Sequence, residues 1–221
     1  MRSQGELRRD NLIRLLDIAR RRGAMPQVEL ARATGLRTST VSYLARILKE
    51  RGMFVEAGKG SAGPAGGKPS IYLSLAADFG YFTGALLRGG ELTTSLVNFV
   101  GEGEQRRRSS MGGESPEAIY EALEREIAAH REHALSRGSR YLGMGLAVAS
   151  VVDAAGSVHP SADFPYDLSE LPSRLAAAAG RQATVVVEND ANCAALYHHQ
   201  RLTEPKGSIL SIVFSQAPDS V

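Results

Sequence analysis

Two helical segments that meet at a glycine occupy residues 30–48 and constrain the fold of this chain more than any other feature. Ala31 is small where two helices must approach closely, and Gly35 permits the positive φ that ends one helix before the next begins. Beyond this turn, apolar residues recur at i, i+3, i+4 and i+7 and define one buried helix face: Val41, Leu44, Ala45 and Leu48. The spacing predicts a helix-turn-helix.

The other face of the second helix carries hydroxyls, a tyrosine and an arginine, where a solvated helix usually has Glu and Lys. Its residues are Ser39, Thr40, Ser42, Tyr43 and Arg46. An amphipathic hairpin in an ordinary core would show the same apolar pattern, so the polar face decides between the two interpretations. Hydroxyl, phenol and guanidinium groups suit the base edges in a DNA groove. We therefore expect these five side chains to lie nearest the bases of a duplex.

The sequence allows two positions for the N-cap of this helix. Arg37 stands where such helices usually carry a capping serine, so the cap falls either at Arg37 or at Thr38. We expect both side chains to lie near DNA phosphates.

The charge of the chain is divided unevenly along its length. Residues 1–70 contain 14 of the 26 Lys and Arg but 6 of the 24 Asp and Glu, a net charge of +8. Residues 71–221 have 12 basic against 18 acidic residues, a net charge of −6. A compact basic segment attracts the phosphate backbone, so the N-terminal segment is the expected partner of double-stranded DNA.

Length and composition bound the remaining classes. A chain of 221 residues with 43% apolar content suffices for one large or two modest globular domains. It contains no apolar run of the ~18 residues needed to span a bilayer, which predicts a cytoplasmic protein without membrane partners. Its one cysteine, Cys193, excludes an internal disulfide and a multi-thiolate zinc site built from this sequence. No metal or cofactor is expected.

Residues 1–75 are predicted to form a winged helix-turn-helix domain. Its first helix spans 4–22, a short helix starts at Pro26 and runs through Ala33, and the third helix spans 38–51. The first helix is expected to bury Leu7, Leu12 or Ile13, Leu16 and Ala19. Two strands, 53–56 and 70–75, would then form the wing.

The segment 57–69, which joins these two strands, is rich in glycine and basic at its tip. It predicts a flexible wing loop in which Lys59 and Lys68 contact the DNA backbone or the minor groove. A plain interdomain linker has a similar composition. A phosphate-binding loop fits less well, because the order of residues is wrong and no helix follows.

Residues 76–221 alternate between strand and helix patterns, which predicts an α/β domain with parallel pairing. The predicted strands are 81–87, 92–100, 141–152, 184–188 and 209–214, and the predicted helices are 115–135, 168–179 and 191–199. The apolar runs 185–187 and 209–214 suit strands that are covered on both faces. The fold class is therefore an α+β head followed by an α/β body.

The C-terminal motifs carry a family resemblance. A winged helix-turn-helix followed by Gly143-Met144-Gly145 and by Glu188-Asn189-Asp190-Ala191-Asn192-Cys193-Ala194-Ala195-Leu196 resembles the ROK family of repressors and sugar kinases. The resemblance implies one lobe of an actin-like, ribonuclease H-like domain. It also implies that Asn189 and Asp190 bind sugar hydroxyls, Asp190 being the catalytic base in kinase members. Capping of the helix that begins at Ala191 is an alternative role for Asp190.

Departures from the family pattern argue against an enzyme. ROK kinases open the α/β domain with Asp-x-Gly-x-Thr, whereas this chain has Leu86-Leu87-Arg88-Gly89-Gly90. The expected second phosphate loop after the last strand is also replaced, by the segment 215–221. Phosphoryl transfer depends on holding phosphates and metal in line, so no kinase activity is expected.

The sugar site is altered as well. Ala149-Ser150 stands where the family has Pro-Gly, and the second family lobe with its zinc loop would lie beyond residue 221. The chain is then a fragment, a natural short form, or a protein whose exposed surface is covered by a dimer partner.

Together these features predict a sequence-specific transcriptional regulator, a repressor of sugar-metabolism genes that acts as a homodimer and responds to a sugar effector. The alternative is a degenerate sugar-binding or kinase-derived protein without a DNA-binding role.

Overall fold

Three α-helices, three short strands and a 3₁₀ helix at Ala77–Phe79 make up the first of two units in the computed structural model, which describes residues 3–59, 70–111, 115–161 and 164–201. The first unit extends to Phe79 and includes Phe99–Gly101, and the second comprises Gly80–Asn98 and the described residues from Glu102 onward. In the first unit the elements are α1 (Gln4–Arg22), β1 (Met25–Pro26), α2 (Gln27–Thr34), α3 (Thr38–Glu50), β2 (Phe54–Lys59) and β3 (Ile71–Leu75).

The ends of the three helices follow from local chemistry. Ser3 begins α1 with a capping box, in which its hydroxyl accepts from the backbone N–H of Glu6 and the Glu6 carboxylate accepts from the backbone N–H of Ser3. Gly35 adopts a left-handed conformation with φ 69° and ends α2. Arg37 is the N-cap of α3 without a capping side-chain bond, so the alternative start with Thr38 as cap is wrong.

The buried face of α1 differs in part from the prediction. Leu7 and Ile13 are exposed, and Leu15 is fully buried instead. Leu12, Leu15, Leu16 and Ala19 follow the i, i+3, i+4, i+7 spacing, whereas Leu7 and Ile13 lie more than about 100° from the centre of that stripe on the helix surface. The predicted stripe of α3 is confirmed, because Val41, Leu44, Ala45 and Leu48 are all buried.

The strands of the first unit form an antiparallel sheet in the order β1-β3-β2. The pairing of β2 with β3 is as predicted, but β1 was not expected. Pro26 lies in β1 opposite Tyr72 and is the N-cap of α2 rather than a residue of its first turn. Proline fits this place because a short edge strand does not need its missing N–H. Residues 60–69, including Lys68, lie outside the described residues.

The second unit contains a five-stranded sheet in the order β10-β7-β4-β5-β6. Its elements are β4 (Gly80–Arg88), β5 (Glu91–Asn98), β6 (Gly103–Ser110), α4 (Pro116–Ser136), β7 (Arg140–Val148), β8 (Val151–Val152), β9 (Val158–His159), α5 (Leu171–Ala179), β10 (Thr184–Asn189) and α6 (Asp190–Arg201). Strands β4, β7 and β10 run parallel, while β4, β5 and β6 pair antiparallel. The predicted parallel α/β arrangement is therefore confirmed for β4, β7 and β10.

The core of the second unit lies between the sheet and the helices α4 and α5, which pack against each other and against strands of the sheet. Its fully buried side chains include Leu87, Ile119, Leu123, Ile127, Leu171 and Leu175. Val187 of β10 points into this core, but Val186 is 55% exposed. The expectation that residues 185–187 are covered on both faces is wrong, because among the described residues the face of β10 that carries Val187 is packed and the face that carries Val186 is exposed.

Several element boundaries differ from the prediction. The strand predicted over 141–152 is two strands, because β7 ends at Val148 and β8 pairs with β9 in a separate two-stranded sheet. Strand β5 ends at Asn98 rather than at residue 100, and α5 begins at Leu171 rather than at residue 168. The predicted strand 209–214 lies outside the described residues.

A small polar cluster is buried between α4 and the sheet. The Nδ1 atom of His130 lies 3.0 Å from the hydroxyl of Thr83, which lies 2.8 Å from the Tyr141 hydroxyl. Burial lowers the pKa of His130, against the opposing effect of Glu126, and burial raises the pKa of Tyr141 to about 12. Both side chains are therefore neutral near neutral pH.

Within the described ranges, no helix is both long and apolar enough to cross a membrane.

Candidate nucleic-acid interface and polar cleft

One face of α3 brings together the polar side chains singled out by the sequence. Ser39, Ser42, Tyr43 and Arg46 are exposed and Thr40 is half-buried, while the opposite face of the helix is packed into the core. Arg37 and Thr38 are exposed at the N-terminus of the same helix. The packing of α3 therefore leaves these side chains accessible along one surface.

Two arginines lie against the ring of Tyr43. The guanidinium carbon of Arg46 is 5.7 Å from the ring centroid, and that of Arg8, from α1, is 5.6 Å away. These distances fall in the range of cation–π attraction. Arg46 also forms an exposed ion pair with Glu50 at 3.1 Å. The polar face of α3 thus continues onto α1.

A second contact links α3 to α2. The Ser42 hydroxyl donates a hydrogen bond of 2.7 Å to the side-chain carbonyl of Gln27, the first residue of α2. Gln27 and Arg8 belong to the same surface as the α3 side chains, but neither residue was predicted to do so from the sequence. Both lie 15 or more residues from their partners, and helical spacing within one segment gives no signal at that distance.

Lys59 is the last residue of β2. Its side chain is not among the described parts of the structure, and Lys68 lies outside the described residues. Their predicted DNA contacts therefore stay predictions.

A polar cleft of about 470 Å³ opens in the second unit. It lies where the parallel strands β4, β7 and β10 end, at Arg88, Val148 and Asn189, since parallel strands end at one edge of a sheet. Its polar lining consists of Arg88, Ser150, Ser161, Asn189, Asp190 and Asn192. Ligands of open α/β sheets bind in this kind of place.

Two of the lining residues, Arg88 and Asp190, form an ion pair. Arg88 donates from both Nε, at 2.9 Å, and Nη2 to the same oxygen, Oδ2, of Asp190. The Asp190 side chain is only 10% exposed and that of Arg88 is 31% exposed. The carboxylate is therefore neutralised by a cation supplied by the chain itself.

Asn189 caps α6. Its side-chain carbonyl accepts from the backbone N–H groups of Ala191, at 2.9 Å, and of Asn192, at 3.2 Å. Its amide nitrogen donates to the backbone carbonyl of Ser150 at 2.9 Å. The alternative role of Asp190 as the cap is wrong, because α6 begins at Asp190 and Asn189 occupies the capping position.

Cys193 lies on α6 near the cleft and is half-buried. Burial, together with the negative charges of Glu188 and Asp190, raises the pKa of its thiol. The thiol is therefore protonated near neutral pH. Among the described residues, no group of three or more His, Cys, Asp or Glu is arranged to hold a metal ion.

Neither a protein-family model nor a curated protein sequence matches the chain. Among solved structures, it is similar to a ROK family transcriptional regulator described as a homologue of the E. coli MLC protein. The TM-score is 0.66 and the sequence identity is 18%, over 86% of this chain and 48% of the regulator. The chain has a ROK-type fold.

Two ROK kinases give weaker similarity to the chain. A ROK hexokinase from Thermus thermophilus has a TM-score of 0.43 and 26% identity, over 54% of this chain and 38% of the hexokinase. A ROK family glucokinase from Streptomyces griseus, in complex with glucose and AMPPNP, has a TM-score of 0.44 and 24% identity, over 55% of this chain and 36% of the glucokinase.

The chain spans about half the length of the regulator to which it is similar. The similarity covers 86% of this chain, so this chain shares the fold of the regulator over most of its own length. The ROK resemblance drawn from Gly143-Met144-Gly145 and from the motif around Asn189 and Asp190 is thereby confirmed at the level of fold.

Proposed function

We propose that this ROK-type chain binds double-stranded DNA sequence-specifically through the exposed face of α3 and represses transcription of sugar-metabolism genes. One observation carries the proposal: hydroxyl, phenol and guanidinium groups lie together on the exposed face of a helix whose other face is fully packed. The net charge of +8 on residues 1–70 supports it, because it attracts the phosphate backbone.

The proposed binding mode places α3 in the major groove, which is wide enough for one helix. Ser39, Thr40, Ser42, Tyr43 and Arg46 would face the bases, and Arg37, Thr38, Lys59 and Lys68 the phosphates. Strands β2 and β3 would serve as the wing of a winged helix-turn-helix. A homodimer would place two such helices about one helical turn, ~34 Å, apart on an inverted repeat.

We propose the polar cleft as the site of a sugar effector. Its size suits a small ligand, and its hydroxyl and amide groups suit hydroxylated molecules. Asn189 and Asp190 are the proposed sugar-binding residues. Both already make internal hydrogen bonds, so a ligand would either share their remaining lone pairs or replace a present partner.

Binding to DNA should weaken steeply with salt, which tests the proposal directly. Fluorescence anisotropy with a labelled duplex, recovered by selection from a random library, should show at least about a tenfold loss of affinity between 50 and 200 mM salt. The variant Ser39→Glu should bind at least about 30-fold more weakly, because it places a carboxylate on the reading face. Ala24→Glu adds the same charge at an exposed site between α1 and β1, and should bind within about threefold of the parent.

Two results would contradict the proposal. The first is a parent chain that selects no duplex from the library, and this result would favour the alternative of a sugar-binding or kinase-derived protein without a DNA role. The second is an equal loss of affinity in Ser39→Glu and Ala24→Glu, which would place the DNA elsewhere on the molecule.

We propose further that the chain is not a kinase. ROK kinases hold the phosphates with Asp-x-Gly-x-Thr, but the corresponding segment here supplies Arg88. Arg88 donates two N–H groups to Oδ2 of Asp190, one of the two oxygens of the expected catalytic base. Purified chain incubated with ATP, Mg²⁺ and a panel of hexoses should therefore form no phosphorylated sugar above a protein-free control. Product formation that Asp190→Asn abolishes would overturn this expectation.

A further inference from the structure

Arg8 is placed to take part in the proposed DNA interface, although it lies on a different helix from the reading face. Its guanidinium carbon is 5.6 Å from the centroid of the Tyr43 ring, about the same distance as that of Arg46. Tyr43 is 46% exposed, and Arg8 and Arg46 are exposed as well. Two cations from two helices therefore flank one accessible aromatic ring.

The guanidinium of Arg8 has a different partner from those of three other arginines in the same unit. Arg46 is paired with Glu50, and Arg20 and Arg21 are both paired with Asp17. In the described part of the chain, Arg8 has the Tyr43 ring as a partner but no carboxylate. A guanidinium over an aromatic face keeps its N–H donors at the edge of the plane, so these donors stay available to an oxyanion.

The position of Arg8 also fits the geometry of a groove. A helix that enters the major groove is flanked on both sides by rows of phosphates, and residues on adjoining helices reach those phosphates rather than the bases. Arg8 adjoins the reading face through Tyr43. Arginine binds phosphate oxygens through two parallel N–H donors, which fixes orientation as well as adding affinity.

Resting on the proposed function, we propose that Arg8, positioned by the ring of Tyr43, contacts a backbone phosphate of the bound duplex and extends the interface from α3 onto α1. The alternative is that Arg8 only joins α1 to α3 through an exposed cation–π contact with Tyr43, next to Arg46, and does not bind DNA. The two roles differ in what salt does to them, because only a phosphate contact releases counterions from DNA.

The test compares Arg8→Ala with Arg9→Ala in the full chain. Arg9 is also exposed, lies on the same helix and carries the same charge, but it points about 100° away. Anisotropy titrations with the selected duplex should show a five- to twentyfold loss of affinity for Arg8→Ala and less than a twofold loss for Arg9→Ala. The slope of log K against log salt should become shallower by about one for Arg8→Ala alone.

A conservative variant and a second background make the role of the ring testable. Arg8→Lys keeps the charge, so the decrease in log K that it causes should be at most half of the decrease caused by Arg8→Ala. In a Tyr43→Leu background, Arg8→Ala should cost less than threefold, because the platform that orients the guanidinium is then absent.

Equal effects of Arg8→Ala and Arg9→Ala, or an unchanged salt slope, would overturn the assignment of Arg8 and leave the proposed function intact. An unaltered cost of Arg8→Ala in the Tyr43→Leu background would overturn the positioning by the ring. If the parent chain bound no duplex, both the proposed function and this inference would fall together.

Discussion

Gly143→Ala should lower the free energy of unfolding of the second unit by at least about 3 kcal/mol, a severe loss for one methyl group. Gly143 lies in β7 opposite Thr184 of β10, with φ 147°. A Cβ atom built on its backbone would lie 1.9 Å from the Thr184 carbonyl oxygen. The strand pair must therefore separate locally, in addition to the strain of a side chain at positive φ.

Gly145→Ala provides the control for this prediction. Gly145 lies two residues further along β7, and an added Cβ there would meet nothing within 4 Å. We expect its free energy of unfolding to stay within about 1 kcal/mol of the parent. Urea unfolding followed by far-UV circular dichroism compares the two variants. If the two alanine variants unfold at the same urea concentration, the tight approach of β7 to β10 is not present in the protein.

Arg46→Ala should reduce the ratio of affinities for selected and random duplexes by about ten- to a hundredfold. A bidentate contact between arginine and guanine is worth about 1–3 kcal/mol of discrimination. Among the described residues, Arg46 forms an exposed ion pair with Glu50 and lies against the Tyr43 ring, so its loss should change the free energy of unfolding little.

Arg51→Ala is the matched control, because Arg51 is exposed at the C-terminal end of the same helix and carries the same charge. It should weaken binding to both duplexes slightly and alike, with the affinity ratio unchanged. Competition titrations at fixed salt measure this ratio. An Arg46→Ala chain that discriminates as well as Arg51→Ala would exclude Arg46 from base recognition.

The sequence predicts α3 well because both of its faces are determined locally. The apolar stripe and the polar stripe lie within one turn-bounded segment, so spacing alone assigns Leu44 to the core and Tyr43 to the surface. The interface extends beyond that segment, however. Arg8 and Gln27 reach the same surface through the packing of α1 and α2, which no short-range pattern encodes.

The errors in predicting the strands of the second unit also have physical reasons. Strand β6 carries Arg106, Arg107 and Arg108, which resemble a solvated charge run, and it forms because it pairs with β5 at an edge of the sheet. Val186 belongs to an apolar run but is exposed, because the position of a strand within a sheet is a tertiary property.

The residues of the polar cleft also make contacts that the sequence pattern could not predict. Composition and motif drew attention to Asp190 and to the unusual Arg88, but their separation of 102 residues concealed that they form one ion pair. The capping role likewise falls to Asn189, because the helix starts one residue earlier than the motif indicated.

The side chain of Asn189 joins the rim of the cleft to the start of α6. Its planar amide holds the Ser150 carbonyl with one atom and two N–H groups of the helix with another. Hydrogen bonds tolerate changes in length of only about 0.5 Å, so the segment at Ser150 cannot shift further without dragging or uncapping the helix. A displacement of the Ser150 backbone would therefore be passed directly to the first turn of α6 through the Asn189 side chain.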